Sequence, residues 1–168
     1  RPHSATGGDS VIWMLSSTAA GVELMNENEN IINALSKRLL AQTAKDDKNK
    51  GVSVLSHLAS TNMGVRILAR VTGIERKITA EMLAQRVAVN GRTGETPIAW
   101  LCKTEQGCEL LEKLIGKITA KMLNGSPVRD ACTGDAPIIH LCMRKKGRDV
   151  LQKIAEKITF EGLCLLRK

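Results

Sequence analysis

TPIAWLCKTEQGCELL, residues 96–111, is the stretch from which the fold of this chain can be read. Thr96 stands where a helix N-cap is wanted, and Pro97 fills the first helical position, where its missing N–H is no loss. Ile98, Leu101 and Cys102 then recur at i, i+3 and i+4, one face of a helix. Gly107 reads as the stop signal of this helix. Leu110, Leu111, Leu114 and Ile115 read as the apolar stripe of a second one.

The stretch has three copies: SVIWMLSSTAAGVELM (10–25), SVLSHLASTNMGVRIL (53–68) and APIIHLCMRKKGRDVL (136–151) align with it without gaps. All four share a Leu (Leu15, Leu58, Leu101, Leu141) and a Gly (Gly21, Gly64, Gly107, Gly147). A second block follows each: LSKRLL (35–40), ITAEML (78–83), ITAKML (118–123) and ITFEGL (158–163). Its last Leu is also shared, at Leu40, Leu83, Leu123 and Leu163. The period is 43, 43, then 40 residues, because the later units lack three residues before the second block (VTGIERKI against LIGKI). Sequence, order and spacing agree independently, which marks a repeat array.

Each unit reads as helical. Ser10, Ser53 and Thr96 cap the first helices, while the fourth unit has Ala136 in that slot and Asp135 as a substitute. Ser36, Thr79, Thr119 and Thr159 can cap a third, shorter helix. The connections 41–51, 84–95 and 124–135 are rich in Gly, Asn, Asp and charge and read as loops, and no strand pattern of useful length appears. One such unit cannot enclose its own apolar face, so neighbours bury those faces against each other. The expected fold is all-α: a helical repeat solenoid of four units with about three helices each. Residues 1–168 form one repeat domain, with units near 9–51, 52–94, 95–134 and 135–168.

Composition narrows the function. Hydrophobic residues make up 43% of the chain but aromatics only 2%, so the core is aliphatic and base-stacking platforms of the RRM or OB kind are disfavoured. Five cysteines without CxxC spacing fit reduced thiols rather than a disulfide frame. No apolar run approaches a membrane span. The opening RPHSATGGDS is not a signal peptide, and the missing initial Met fits a fragment or processed chain whose array continues or is capped by terminal residues. The net charge of +8 is uneven: residues 1–84 carry ten Lys/Arg against eight Asp/Glu, residues 85–168 fifteen against nine. A basic second half could meet an acidic protein, anionic lipid or nucleic acid, or simply keep the surface solvated.

TGETPIAWLC (93–102) and TGDAPIIHLC (133–142) resemble the opening of the ankyrin repeat, a turn followed by Thr-Pro-Leu-His and a pair of small residues. The resemblance covers the first helix and part of the second in all four units. It departs in length, 40–43 residues against about 33, in a Leu-Cys pair at Leu101 and Cys102, and in the extra short helix. Divergent helical arrays of this sort are found in effectors secreted by intracellular bacteria. The resemblance implies an ankyrin-like, cytoplasmic interaction scaffold, or one acting in the host cytosol, with its partner on a concave surface built from the first helices.

Within that frame, Trp100 lies nearly opposite the core residue Ile98, and its repeat equivalents are Met14, His57 and His140. Lys103 and Thr104, with Met143 and Arg144, extend the same side. The row is a candidate partner surface, since Trp, Met and Arg are common interface anchors. The other reading is a second core buried by longer helices or a cap. Cys102 and Cys142 share a slot with Ser16 and Ala59, which asks for a small buried side chain. With His140 they make no converging metal or nucleophile set, since repeat-equivalent residues sit on successive units. Trp13 flanks the core stripe and reads as structural, a plug for the open end of the first unit. Arg144, Lys145, Lys146 and Arg148, with Lys153 and Lys157, could form a cationic edge or a solvated turn. Walker, HExxH and GxSxG motifs are absent. The expectation is a non-catalytic protein-interaction module, monomeric, with no cofactor or metal. The alternative is a binder of an anionic ligand, phospholipid headgroup or nucleic acid, through the basic half.

Overall fold

The computed structural model describes residues 10–43, 51–86, 95–124 and 136–155, with the backbone of 88–89 and 92–93. Among them are thirteen α-helices, and the protein is all-α. The first unit carries α1 (Val11–Ser16), α2 (Ala19–Glu27), α3 (Glu29–Ala34) and α4 (Lys37–Leu40). The second carries α5 (Val54–Ala59), α6 (Asn62–Arg70), α7 (Ile74–Lys77) and α8 (Ala80–Ala84). The third has α9 (Pro97–Leu101), α10 (Glu105–Lys113), a 3-10 turn at Ile115–Lys117 and α11 (Ala120–Asn124). In the fourth, α12 (Pro137–Cys142) and α13 (Lys145–Ile154) are described. The first two units carry one helix more than the expected three, a short turn between the second helix and the capped block, and the third has three α-helices with a 3-10 turn in that place.

The capping residues act as read from the sequence. Ser10, Ser53 and Thr96 accept the backbone N–H groups of Trp13, Ser56 and Ala99. Ser36, Thr79 and Thr119 do the same for Leu39, Met82 and Met122. Ala136 makes no side-chain cap bond. Asp135, Thr159, Leu163 and the block 158–163 lie outside the described residues, as do Lys157, Cys132 and Cys164. A two-residue antiparallel ladder, β1 (Ala88–Val89) with β2 (Arg92–Thr93), lies in the second connection.

Gly107 is not a stop signal. It is the third residue of α10 and buried, and Gly21, Gly64 and Gly147 hold the same place in α2, α6 and α13. The first helix ends earlier, and the second starts from Thr18, Thr61 or Thr104, whose hydroxyl accepts the N–H of that Gly at 2.9–3.1 Å. The reason for Gly is close approach. A Cβ at any of the four would lie 2.7–2.8 Å from the carbonyl carbon of the shared Leu six residues earlier, on backbone that cannot step aside. The three-residue deletion is equally local. Unit two turns through Gly73 at φ 65° into α7, and unit three replaces this with the 3-10 turn.

No described helix exceeds ten residues, too short to stand alone in water, so packing holds them. In each unit the first helix packs on the second: α1 on α2, α5 on α6, α9 on α10, α12 on α13. Across units α2, α6, α10 and α13 contact in succession, as do α1, α5 and α9, while α12 meets α11. One contiguous aliphatic core results. Leu58, Leu101 and Leu141 are fully buried in it, with Leu40, Leu83 and Leu123, whereas Leu15 is half-buried. Polar ties cross the same junctions. Arg70 of α6 donates to the Asn26 carbonyl at 2.8 Å and pairs with Glu29, and Lys153 of α13 pairs with Glu112 of α10.

Candidate functional site

The four repeat-equivalent residues of the expected partner surface take different environments. Met14 on α1 is 49% exposed. His57 on α5 is half-buried and meets the indole of Trp13 edge-on, with ring centroids 5.0 Å apart. Its Nε2 is buried without a hydrogen-bond partner, and burial lowers its pKa, so the ring is kept neutral between α1 and α5. Trp13 itself is buried, and its indole N–H donates to the Val52 carbonyl at 2.8 Å. Its role is structural, but it seals the junction to the second unit rather than the open end of the first.

Trp100 on α9 is half-buried, with one side against the edge of the core. The Lys103 ammonium stands 4.3 Å from the centre of its ring. Lys103 also pairs with Glu95 at 2.5 Å, so the cation is held over the indole face from both sides. Thr104 is half-buried and caps α10, its hydroxyl accepting the Gly107 N–H. His140 on α12 is half-buried, and its carbonyl accepts Nη1 of Arg144 at 3.0 Å. Next to it Met143 is 71% exposed.

The basic run is bound into the turn. Arg144 replaces the Thr that caps the second helix in the other units and offers no acceptor. Glu105 of the third unit compensates: its carboxylate accepts the backbone N–H of Lys146 at 3.2 Å, a negative charge at the start of α13. Arg148 donates to the Cys142 carbonyl at 3.2 Å. Lys145 is exposed. Both guanidiniums of the set thus reach back to carbonyls, and the Glu105 carboxylate stands at the start of the same helix. Glu105 carries no motif; what points to it is the missing Thr at position 144.

The cysteines separate. Cys102 and Cys108 are fully buried, and the Cys108 thiol donates to the Cys102 carbonyl at 3.9 Å. Burial raises the pKa of both, Cys108 to about 11, so neither is a thiolate near neutral pH. Cys142, expected to fill the same small slot as Cys102, is exposed instead, because no described residue covers that side of the fourth unit. No group of three His, Cys, Asp or Glu among the described residues could hold a metal ion. No described helix is long and apolar enough to cross a membrane.

These features define an all-α protein with a partly exposed row of Met, Trp and His positions along its first helices. No protein-family model, curated protein or solved structure matches the chain.

Proposed function

We propose that the chain is an ankyrin-like helical repeat solenoid acting as a non-catalytic protein-interaction module. Its partner sits across the first helices, on Met14, Trp100, Lys103, His140 and Arg144, with His57 packed beneath. The observation that carries the reading is Trp100 under the Lys103 ammonium, which Glu95 pairs. An indole held in one orientation by a paired cation has little freedom to lose, so it can anchor a partner at low ordering cost. The succession α1, α5, α9 supports one continuous surface. The engagement of Arg144 and Arg148 with carbonyls weighs against the alternative, an anionic lipid headgroup or nucleic acid on Arg144, Lys145, Lys146 and Arg148.

The test is a capture from cell lysate with the wild type, Trp100→Ala and the double variant Lys145→Glu, Lys146→Glu. Loss of captured proteins with Trp100→Ala alone supports the reading. Identical partner lists for wild type and Trp100→Ala overturn it. Loss only with the double variant, with a steep salt dependence, favours the anionic ligand.

A further inference from the structure

The contact between α1 and α5 differs from its neighbour in what it encloses. The slot of Trp13 holds Ser56 and Ala99 in the second and third units, so two rings meet here where the next contact has a small side chain. The Trp13 indole meets His57 of α5 edge-on at 5.0 Å, and its N–H donates to the Val52 carbonyl at 2.8 Å. The Nε2 of His57 is buried and has no hydrogen-bond partner. While the ring is neutral, that nitrogen gives up only its contact with water. Protonated, it becomes a charged N–H donor with nothing to accept it, an arrangement that protein interiors do not hold.

The surroundings offer no compensating charge. Apart from His57, α1, α5 and α9 carry no titratable side chain. Of the other helices packed on α5, α4 brings Lys37 and Arg38 and α6 brings Arg66 and Arg70, all cationic and exposed. Lys103, which follows α9, is paired with Glu95. The first unit's carboxylates Glu23, Glu27 and Glu29 stand exposed on α2 and α3. Burial is the whole cause of the lowered pKa of the ring. The second seam between these units, α2 on α6, is joined by Arg70 to Asn26 and Glu29 and holds no histidine.

We propose that His57 is an acid-sensitive latch between the first two units: its protonation releases α1 from α5 and frees Trp13, while the helices of the third unit stay packed. The released state lets water reach the ring, so it binds the proton that the closed contact excludes. Falling pH therefore favours release, and return to neutral pH restores the contact. The latch concerns this contact alone and is independent of the proposed function, so its test needs no partner.

The test reads Trp13 by itself. In Trp100→Phe the remaining indole is Trp13. Its emission is expected to shift reversibly to the red as the pH falls below 6.5, and His57→Phe in the same background abolishes the shift. A loss of intensity without a red shift means that the ring takes its proton with α1 still docked, and overturns the proposal. Hydrogen exchange of the unsubstituted chain gives a second reading that does not depend on how the variants fold. The amides of Met14 and Ser17 in the α1 turn are compared with that of Cys108 in α10. Protection in α1 is expected to fall about tenfold relative to α10 between about pH 7.5 and about pH 5.5, the gain in proton binding that the opened ring provides. Equal losses in α1 and α10 mean that acid unfolds the chain as a whole, and they overturn the latch, as does unchanged protection in both.

Discussion

Gly107 packs its Cα directly on the backbone of Leu101: a Cβ there would lie 2.7 Å from the Leu101 carbonyl carbon, inside any real contact. The pair closes the corner between α9 and α10, and the same Leu–Gly pair recurs in all four units. Gly107→Ala is therefore expected to destabilise the protein by about 2–3 kcal/mol, the overlap outweighing the roughly 1 kcal/mol by which Ala is the better helix former. Gly116→Ala, with nothing within 4 Å of the added Cβ, is the control and should be near neutral. Urea unfolding of both variants checks this, and equal midpoints would refute the close-approach argument.

The cap of the second helix is a separate contribution. Thr104→Val removes the acceptor of the Gly107 N–H and should cost about 1 kcal/mol. The opposite change at the uncapped unit, Arg144→Thr, places the acceptor that the other three units have and should add up to about 1 kcal/mol. Thermal unfolding of the two variants should move in opposite directions.

His57 makes stability depend on pH. Its folded pKa is lowered by burial from the ordinary 6.5, so below that value the unfolded chain binds more protons than the folded one. Its contribution is fully present above about pH 6.5 and is lost as the pH falls toward the depressed folded pKa. The urea midpoint is expected to drop between neutral and mildly acidic pH. In His57→Phe, which keeps an aromatic ring against Trp13, the drop should be smaller. An identical drop in both proteins would show that other groups are responsible.

The thiols should react in order of burial. Iodoacetamide on the folded protein should modify Cys142 and spare Cys102 and Cys108, which become reactive only in denaturant. Peptide mass mapping reads the sites directly. Rapid native labelling of Cys102 would contradict the packing of α9 on α10.

Much of the fold was legible because it is local. The caps Ser10, Ser53 and Thr96 and the apolar stripe Leu110, Leu111 and Leu114 depend only on neighbours within a turn or two of chain. Gly107 was legible as a special position but not in its role. A glycine that ends a helix and one that admits another backbone look alike until the Leu101 carbonyl is placed beside it. The short helices α3 and α7 went unread because four to six residues carry too little periodicity to announce a turn. The candidate surface was legible as a row of equivalent slots, yet not in its occupants' surroundings: Met14 is open, His57 lies under Trp13, and Trp100 holds Lys103.

By itself the sequence determined that the chain is helical and that similar segments recur at 43, 43 and 40 residues, because such a recurrence records its own spacing and each cap acts within a few residues. Only the tertiary structure decided what each repeated slot does. Cys102 and Cys142 are the same residue in the same slot, one sealed and one open, and Leu15 and Leu58 differ in the same way. Burial belongs to the neighbour that covers a residue, and here that neighbour is a helix roughly forty residues away along the chain, as where α1 meets α5 and α2 meets α6.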